Sequence, residues 1–304
     1  MLRKRSETDF SHELVSLMAD EDKQALHTLL CNCVSVERLS EGMTNLNFKV
    51  IVPGDEFVIR IPGRGTATFI DRNVEWENYQ MVAPLDISAE EIYYNKHTGL
   101  RVTRYIDNVF IALCRSDKAK LALGPLKKVH QSGAQLPVVF TGPVMLRAYE
   151  QIAAASGVRI SPVYYLLKHQ LPGNQQLTCP DNSLLAPCHN DPVPENFIQD
   201  KQGKIYLIDW EYGGMNDPVW DLAALVLEME LKDDEEEIVL QSYFKVTEVS
   251  DPVRIRMTTC KMYQDLLWYV WALIKTKIGS DLYAYAHNRL RRAEKNAGSI
   301  HYLV

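Results

Sequence analysis

The sequence predicts an α+β chain built as two lobes, a small antiparallel-sheet lobe followed by a larger and mostly helical one. Three observations carry this. Residues 34–63, VSVERLSEGMTNLNFKVIVPGDEFVIRIPG, alternate apolar and polar side chains between turn signals, the pattern of adjacent strands. From Ala112 onward the apolar spacing is helical. Within that helical stretch, CHNDPVPENFIQDKQGKIYLIDWEY, from Cys188 to Tyr212, reads as a tight β-hairpin crowded with carboxylates.

Residues 9–30 carry Leu14, Leu17, Met18, Leu26, Leu29 and Leu30 at helical spacing and predict a leading helix. Turns at Glu41-Gly42 and Pro53-Gly54-Asp55 divide 34–63 into three strands. A helix over 71–83 (DRNVEWENYQMVA) and two strands, 91–95 and 100–106, complete a β-β-β-α-β-β unit. Helices are expected at 115–131, 142–156 and 160–171, with chain breaks at Gly173-Asn174 and Pro180-Asp181-Asn182. After the hairpin, 218–230, 234–245, 251–279 and 281–298 read as helices. The division this implies is a nucleotide-type β lobe with its leading helix over 1–107 and a helical lobe over 108–304.

With 304 residues, 46% hydrophobic and 24% charged, the chain has the make-up of a globular protein with a sizeable core. Its net charge of −6 argues against an extended nucleic-acid footprint and suits a cationic substrate. No segment approaches the roughly 18 apolar residues of a membrane span, and the basic start MLRKRSETDFSHEL lacks a secretory apolar core. Cys31, Cys33, Cys114, Cys179, Cys188 and Cys260 lack zinc-site spacing and read as free thiols, which fits a cytoplasmic protein. KDDEEE (232–237) reads as an acidic helix start.

In the hairpin, Asn196 opens the first strand, Asp209 ends the second, and Asp191 stands in the loop just before, stiffened by Pro192 and Pro194. A carboxylate and a carboxamide are hard-oxygen ligands suited to Mg²⁺. A further aspartate off the metal could take a proton from an attacking hydroxyl. Singly, Asp191 and Asn196 read equally well as loop residues satisfying backbone N–H groups.

The pattern H-x-D-x-x-x-x-N, His189 to Asn196, followed by I-D-W-E resembles the signature of the protein-kinase-like small-molecule kinases, shared by aminoglycoside phosphotransferases and choline kinases. The longer string IDWEYGGMNDPVWDLAALVLE resembles the bacterial choline kinases, and the likeness runs over roughly 34–290. It implies a two-lobed protein-kinase-like fold, with ATP and Mg²⁺ as cofactors and choline as the small-molecule partner. By the same resemblance Asp191 is the catalytic base, Asn196 and Asp209 hold Mg²⁺, and His189 orients the loop. Glu211 stays open between a supporting role and an ordinary surface position.

The β lobe then has to supply a phosphate cover and a cation, since phosphoryl transfer rests on positioning and charge neutralisation. LSEGMTNLNFKV (39–50), with Gly42, Thr44 and Asn45, resembles the choline-kinase phosphate loop, though one glycine stands where protein kinases have three. Arg60, in the strand FVIRIPG, stands where protein kinases keep a lysine, and Glu75 is its expected acidic partner, with Glu77 the fallback. Tyr105 and Ile106 match the adenine hinge.

For the acceptor, Asp221 and Glu228 are seven residues apart on one helix face. Asp221 is expected to bond the catalytic loop, and Glu228 to be freer to meet a ligand. In KMYQDLLWYVWALIK (261–275), Tyr263, Leu267, Val270 and Ile274 make a core stripe, with Trp268 and Trp271 on the adjacent face. Those tryptophans read either as core packing or as indole walls for a quaternary ammonium. The resemblance assigns Tyr212, Glu228, Trp268 and Trp271 to the choline pocket, closed by Tyr285. The expected activity is ATP-dependent choline kinase; the alternatives are kinases of ethanolamine, thiamine or an aminoglycoside, or a non-catalytic choline binder. Monomer and homodimer both stay open.

Overall fold

The computed structural model describes residues 7–39, 44–109, 113–171 and 185–300. Gly42 with its turn, the breaks at Gly173-Asn174 and Pro180-Asp181-Asn182, and Cys179 lie outside the described residues.

The leading segment is three short helices where one was expected: α1 (Glu7–Leu17), α2 (Asp20–Ala25) and α3 (His27–Cys31). Ala19 is extended, at φ −69° and ψ 156°, and the acidic run Asp20, Glu21, Asp22 starts a new first turn, where carboxylates meet the positive end of the helix dipole. The sheet consists of β1 (Ser35–Arg38), β2 (Asn45–Val52), β3 (Asp55–Pro62), β4 (Glu91–Tyr94) and β5 (Arg101–Arg104). Its order is β1-β2-β3-β5-β4, and every neighbouring pair is antiparallel. A tight turn at Pro53-Gly54, with Gly54 at φ 88°, joins β2 to β3. One sheet face buries Val36, Phe48, Val50, Phe57, Ile59 and Val102 against Leu14, Met18 and Leu26 of the leading helices. The other face carries Arg60 and, opposite it in the β3–β5 register, Arg101.

Helix α4 (Arg72–Val82) follows, with the Asp71 side chain accepting from the Asn73 and Val74 amides as its N-cap. The helical lobe holds α5 (Arg115–His130), α6 (Gly142–Ala155), α7 (Pro162–Gln170), α8 (Pro218–Glu228), α9 (Asp233–Phe244), α10 (Asp251–Ile278) and α11 (Tyr283–Ile300). The long α10 lies at the centre of the larger core, with Leu266, Leu267, Val270 and Ile274 enclosed. Tyr79 and Val82 of α4 join this core, so α4 faces both lobes. Among the described residues no helix is long and apolar enough to cross a membrane, and Cys31, Cys33, Cys114, Cys188 and Cys260 are free thiols.

Between α7 and α8 the chain forms two small antiparallel sheets. The expected hairpin is β7 (Phe197–Gln199) with β8 (Ile205–Leu207). The other pairs β6 (Ala186–Cys188) with β9 (Gly214–Asn216), strands joined by no local turn, so no signal in the sequence announces it.

Candidate active site

Arg60 reaches from β3 into a buried cluster. It donates to Glu75 of α4 and, at 2.5 Å, to Asp209 of the turn after β8. Glu77 is not needed as its partner. Glu75 is fully enclosed and receives two further guanidiniums, Arg72 at 2.7 Å and Arg101 at 3.5 Å, with the Tyr94 hydroxyl donating at 2.9 Å. Burial alone would raise the Glu75 pKa; the charges of Arg60, Arg101 and Arg72 outweigh it and hold the carboxyl at about 2.

Asp209 sits in the left-handed region, at φ 67° and ψ 65°, and its carboxylate is half-buried. Glu211 is buried two residues on, and Asn45, from the start of β2, donates to it at 3.2 Å and toward Asp209 at 3.5 Å. Carboxylate oxygens of Glu75, Asp209 and Glu211 lie within 4.8 Å of one another. Burial, followed by the charge of Asp209, pushes the Glu211 pKa upward. Glu211 therefore belongs to the cluster and not to the surface. Negative charge gathered this way suits a divalent cation, and the buried Oδ1 of Asn45 has no hydrogen-bond partner. Asn196 lies close by: its backbone carbonyl accepts from the Ile208 amide at 2.9 Å, and its side-chain NH₂ donates to the Asp191 carbonyl at 2.9 Å. That spends the amide nitrogen and leaves its Oδ1 as the ligand-type atom. The donor set of Asp209, Asn196 and Glu211 fits a hard metal ion.

The loop bearing Asp191 is fixed from behind. Asp221 accepts from the His189 and Asn190 amides, both at 2.8 Å, and His130 bridges it to the Tyr243 hydroxyl. The Asn190 side chain donates to the Tyr212 carbonyl at 2.9 Å, and the Trp220 indole N–H donates to the Asn190 carbonyl at 3.1 Å. Burial lowers the His189 pKa; the neutral ring donates from Nε2 to the Ile208 carbonyl at 2.9 Å and accepts the Asp191 amide on Nδ1 at 3.3 Å. Asp191 itself is raised to about 8, by burial first and then by the charges of Glu228 and Asp209. A carboxyl perturbed this far is of the kind that gathers at functional sites.

Beside the loop runs a chain of aromatic rings. Tyr212 meets Trp268 with centroids 5.3 Å apart at 81°, Trp268 meets Trp271 at 5.9 Å and 90°, and Trp271 meets Tyr285 at 6.3 Å and 68°. The buried Trp271 Nε1 has no hydrogen-bond partner. Phe69, 6.4 Å from Trp271, and Tyr149, 5.2 Å from Phe69, extend the chain. Neither carries a local signal, since Phe69 sits in the β3–α4 connection and Tyr149 reads as an ordinary core position of α6. Glu228 is not the free carboxylate expected: it lies 2.6 Å from Arg289 and 3.5 Å from Arg292. The α8 face was legible, whereas arginines from a helix some 60 residues on were not.

Of the remaining expected positions, Thr44 presents its carbonyl to the Gly63 amide at 3.0 Å. A Cβ at residue 63 would fall 2.0 Å from that oxygen, so only glycine fits there. Tyr105 and Ile106 lie on the connector after β5, where the Tyr105 amide donates to the Glu56 carbonyl at 2.9 Å and Lys49 covers its ring at 3.8 Å.

Residues 35–257 match the model of the phosphotransferase enzyme family, well over half of the chain. A choline kinase structure, LicA from Streptococcus pneumoniae, is 29% identical, covers 92% of this chain and 98% of its own, and superposes with a TM-score of 0.74. A choline/ethanolamine kinase family protein from Mesorhizobium loti is 30% identical at TM-score 0.71, covering 90% and 94% of the two chains. Protein LicA of Haemophilus influenzae is 27% identical over 272 residues, 84% of this chain and 77% of its own. The structural likeness extends over nine-tenths of the chain, and this chain belongs to the phosphotransferase enzyme family.

Proposed function

We propose that the protein is an ATP- and Mg²⁺-dependent choline kinase, transferring the γ-phosphate of ATP to the choline hydroxyl to give phosphocholine and ADP. The observation that supports it most is the edge-to-face wall of Tyr212, Trp268, Trp271 and Tyr285, begun by a residue three positions from Asp209. A trimethylammonium has no N–H to satisfy and is held by ring faces, each cation–π contact contributing about 0.5–2 kcal/mol.

In this reading Asp191 orients the choline hydroxyl and accepts its proton as the oxygen attacks phosphorus. The neutral His189 and the Asp221 carboxylate hold the loop so that this carboxyl keeps its place. Arg60, braced by Glu75, steadies the phosphate oxygens, with Thr44 and Asn45 at the start of β2 beside them and the backbone of Tyr105 and Ile106 at the adenine. Asn196 and Asp209, backed by Glu211, would hold Mg²⁺, which when bound neutralises phosphate charge. Residues 1–107 then serve the nucleotide and 108–304 the acceptor.

An ADP-release assay with choline, ethanolamine, thiamine and kanamycin side by side tests this. Choline is expected to give the highest kcat/KM; no choline-dependent turnover would overturn the proposal.

A further inference from the structure

Arg289 is a buried cation inside the acceptor region. Its side chain is 5% exposed, yet it touches two walls of the site. One terminal nitrogen donates to the Tyr285 hydroxyl at 2.5 Å, and the guanidinium carbon lies 4.7 Å from the centre of that ring. The other stands 2.6 Å from Glu228 Oε1 and 3.3 Å from Asp265 Oδ1. Asp265 has a fuller partner of its own: Arg292 donates from Nε to both of its oxygens at 3.0 Å and from a terminal nitrogen at 2.6 Å. Arg292 reaches Glu228 only at 3.5 Å. The two carboxylates are thus matched by two guanidiniums, and Arg289 is the chief counter-ion of Glu228.

This matters for which amino-alcohol the site accepts. A quaternary ammonium rests on ring faces and loses nothing when the nearby carboxylate is engaged. A primary ammonium carries three N–H donors, which the indole and phenol rings leave unpaired unless a carboxylate receives them. Glu228 is the carboxylate at the aromatic end, and one of its oxygens is enclosed against Arg289. We infer that Arg289 is a positioning residue that sets acceptor specificity: by engaging Glu228 it withholds a hydrogen-bonding anion from the pocket and biases the enzyme toward N-methylated amino-alcohols over ethanolamine. The inference rests on the choline kinase reading of the same site.

The test is the kcat/KM of ethanolamine, N-methylethanolamine, N,N-dimethylethanolamine and choline for wild type, Arg289→Gln, Arg289→Lys and Glu228→Gln, after thermal melts confirm folding. In Arg289→Gln the choline-to-ethanolamine ratio is expected to fall about tenfold, graded across the series, the size of one hydrogen bond to a charged group. Arg289→Lys restores the charge beside Glu228 and should return the ratio toward wild type. A uniform loss across all four acceptors, or an unmoved ratio, would show that Arg289 only supports the fold and would overturn the inference. Should Arg289→Gln not fold, Glu228→Gln decides: the ratio must hold or rise, and a fall overturns the inference. Wild type without choline turnover sinks the functional reading; choline turnover with an unmoved ratio sinks this inference alone.

Discussion

Arg60 lies 2.5 Å from Asp209 while also donating to Glu75, so one guanidinium from the sheet lobe occupies a carboxylate proposed for the metal. Arg60 and a divalent cation are therefore rivals for the same charge. Replacing Arg60 with leucine breaks a buried pair, at a cost of about 3 kcal/mol, but leaves Glu75 its Arg72 and Arg101. The rise in melting temperature on adding Mg²⁺ should be larger in Arg60→Leu than in wild type, with nucleotide turnover lost. Melts with and without Mg²⁺ check this, and an equal or smaller rise counts against shared charge.

Glu75 predicts an acid limb in stability. Its folded pKa of about 2 lies below the usual 4.5, so its contribution is complete above about 4.5 and is lost as pH falls from there toward 2. The shift corresponds to roughly 3 kcal/mol. Glu75→Gln should flatten that limb in urea unfolding followed between pH 6 and pH 3.

Asp191 predicts proton release on acceptor binding. With its pKa raised to about 8, the carboxyl is mostly protonated at pH 7. A bound cation and a donating hydroxyl both favour the ionised form, so choline should displace a fraction of a proton. Calorimetric titration of choline at pH 7 in two buffers of unlike ionisation enthalpy measures it. Asp191→Asn should abolish the buffer dependence, keep choline binding, and lower turnover by about 10²–10⁴.

Trp268 and Trp271 predict a split in kinetic constants. Trp271→Leu and Trp268→Leu each remove one face of the wall and should raise KM for choline about tenfold, with KM for ATP changed less than threefold. Both indoles are buried, at 3% and 7% exposure, so a lower melting temperature is also expected. Equal changes in the two KM values would assign the rings to packing alone.

What the sequence made legible was local. Helix α4 starts at an N-cap aspartate and places Glu75 one turn in, while the hairpin brings Asn196 and Asp209 to one end through neighbouring strands. What stayed hidden was carried by long-range pairing. Arg101 reaches Glu75 because β5 sets it opposite Arg60, and Arg289 reaches Glu228 because α11 returns along α10. Splitting the leading helix turned on Ala19 leaving helical backbone, against a hydrophobic period that ran straight through it. The role of Glu211 was open for a similar reason: its burial depends on Asn45 and Arg60 from another lobe.

Asp209 adopts a left-handed backbone at φ 67°, where most side chains cost about 1–2 kcal/mol and asparagine and aspartate are the usual non-glycine occupants. Most replacements there would disturb the fold together with the chemistry. Asparagine accepts that backbone, and its codons differ from those of aspartate by a single base. It keeps the local shape while removing the charge that answers Arg60. The position thus separates backbone shape from charge, and Asp209→Asn is the single-base change that tests the second without the first.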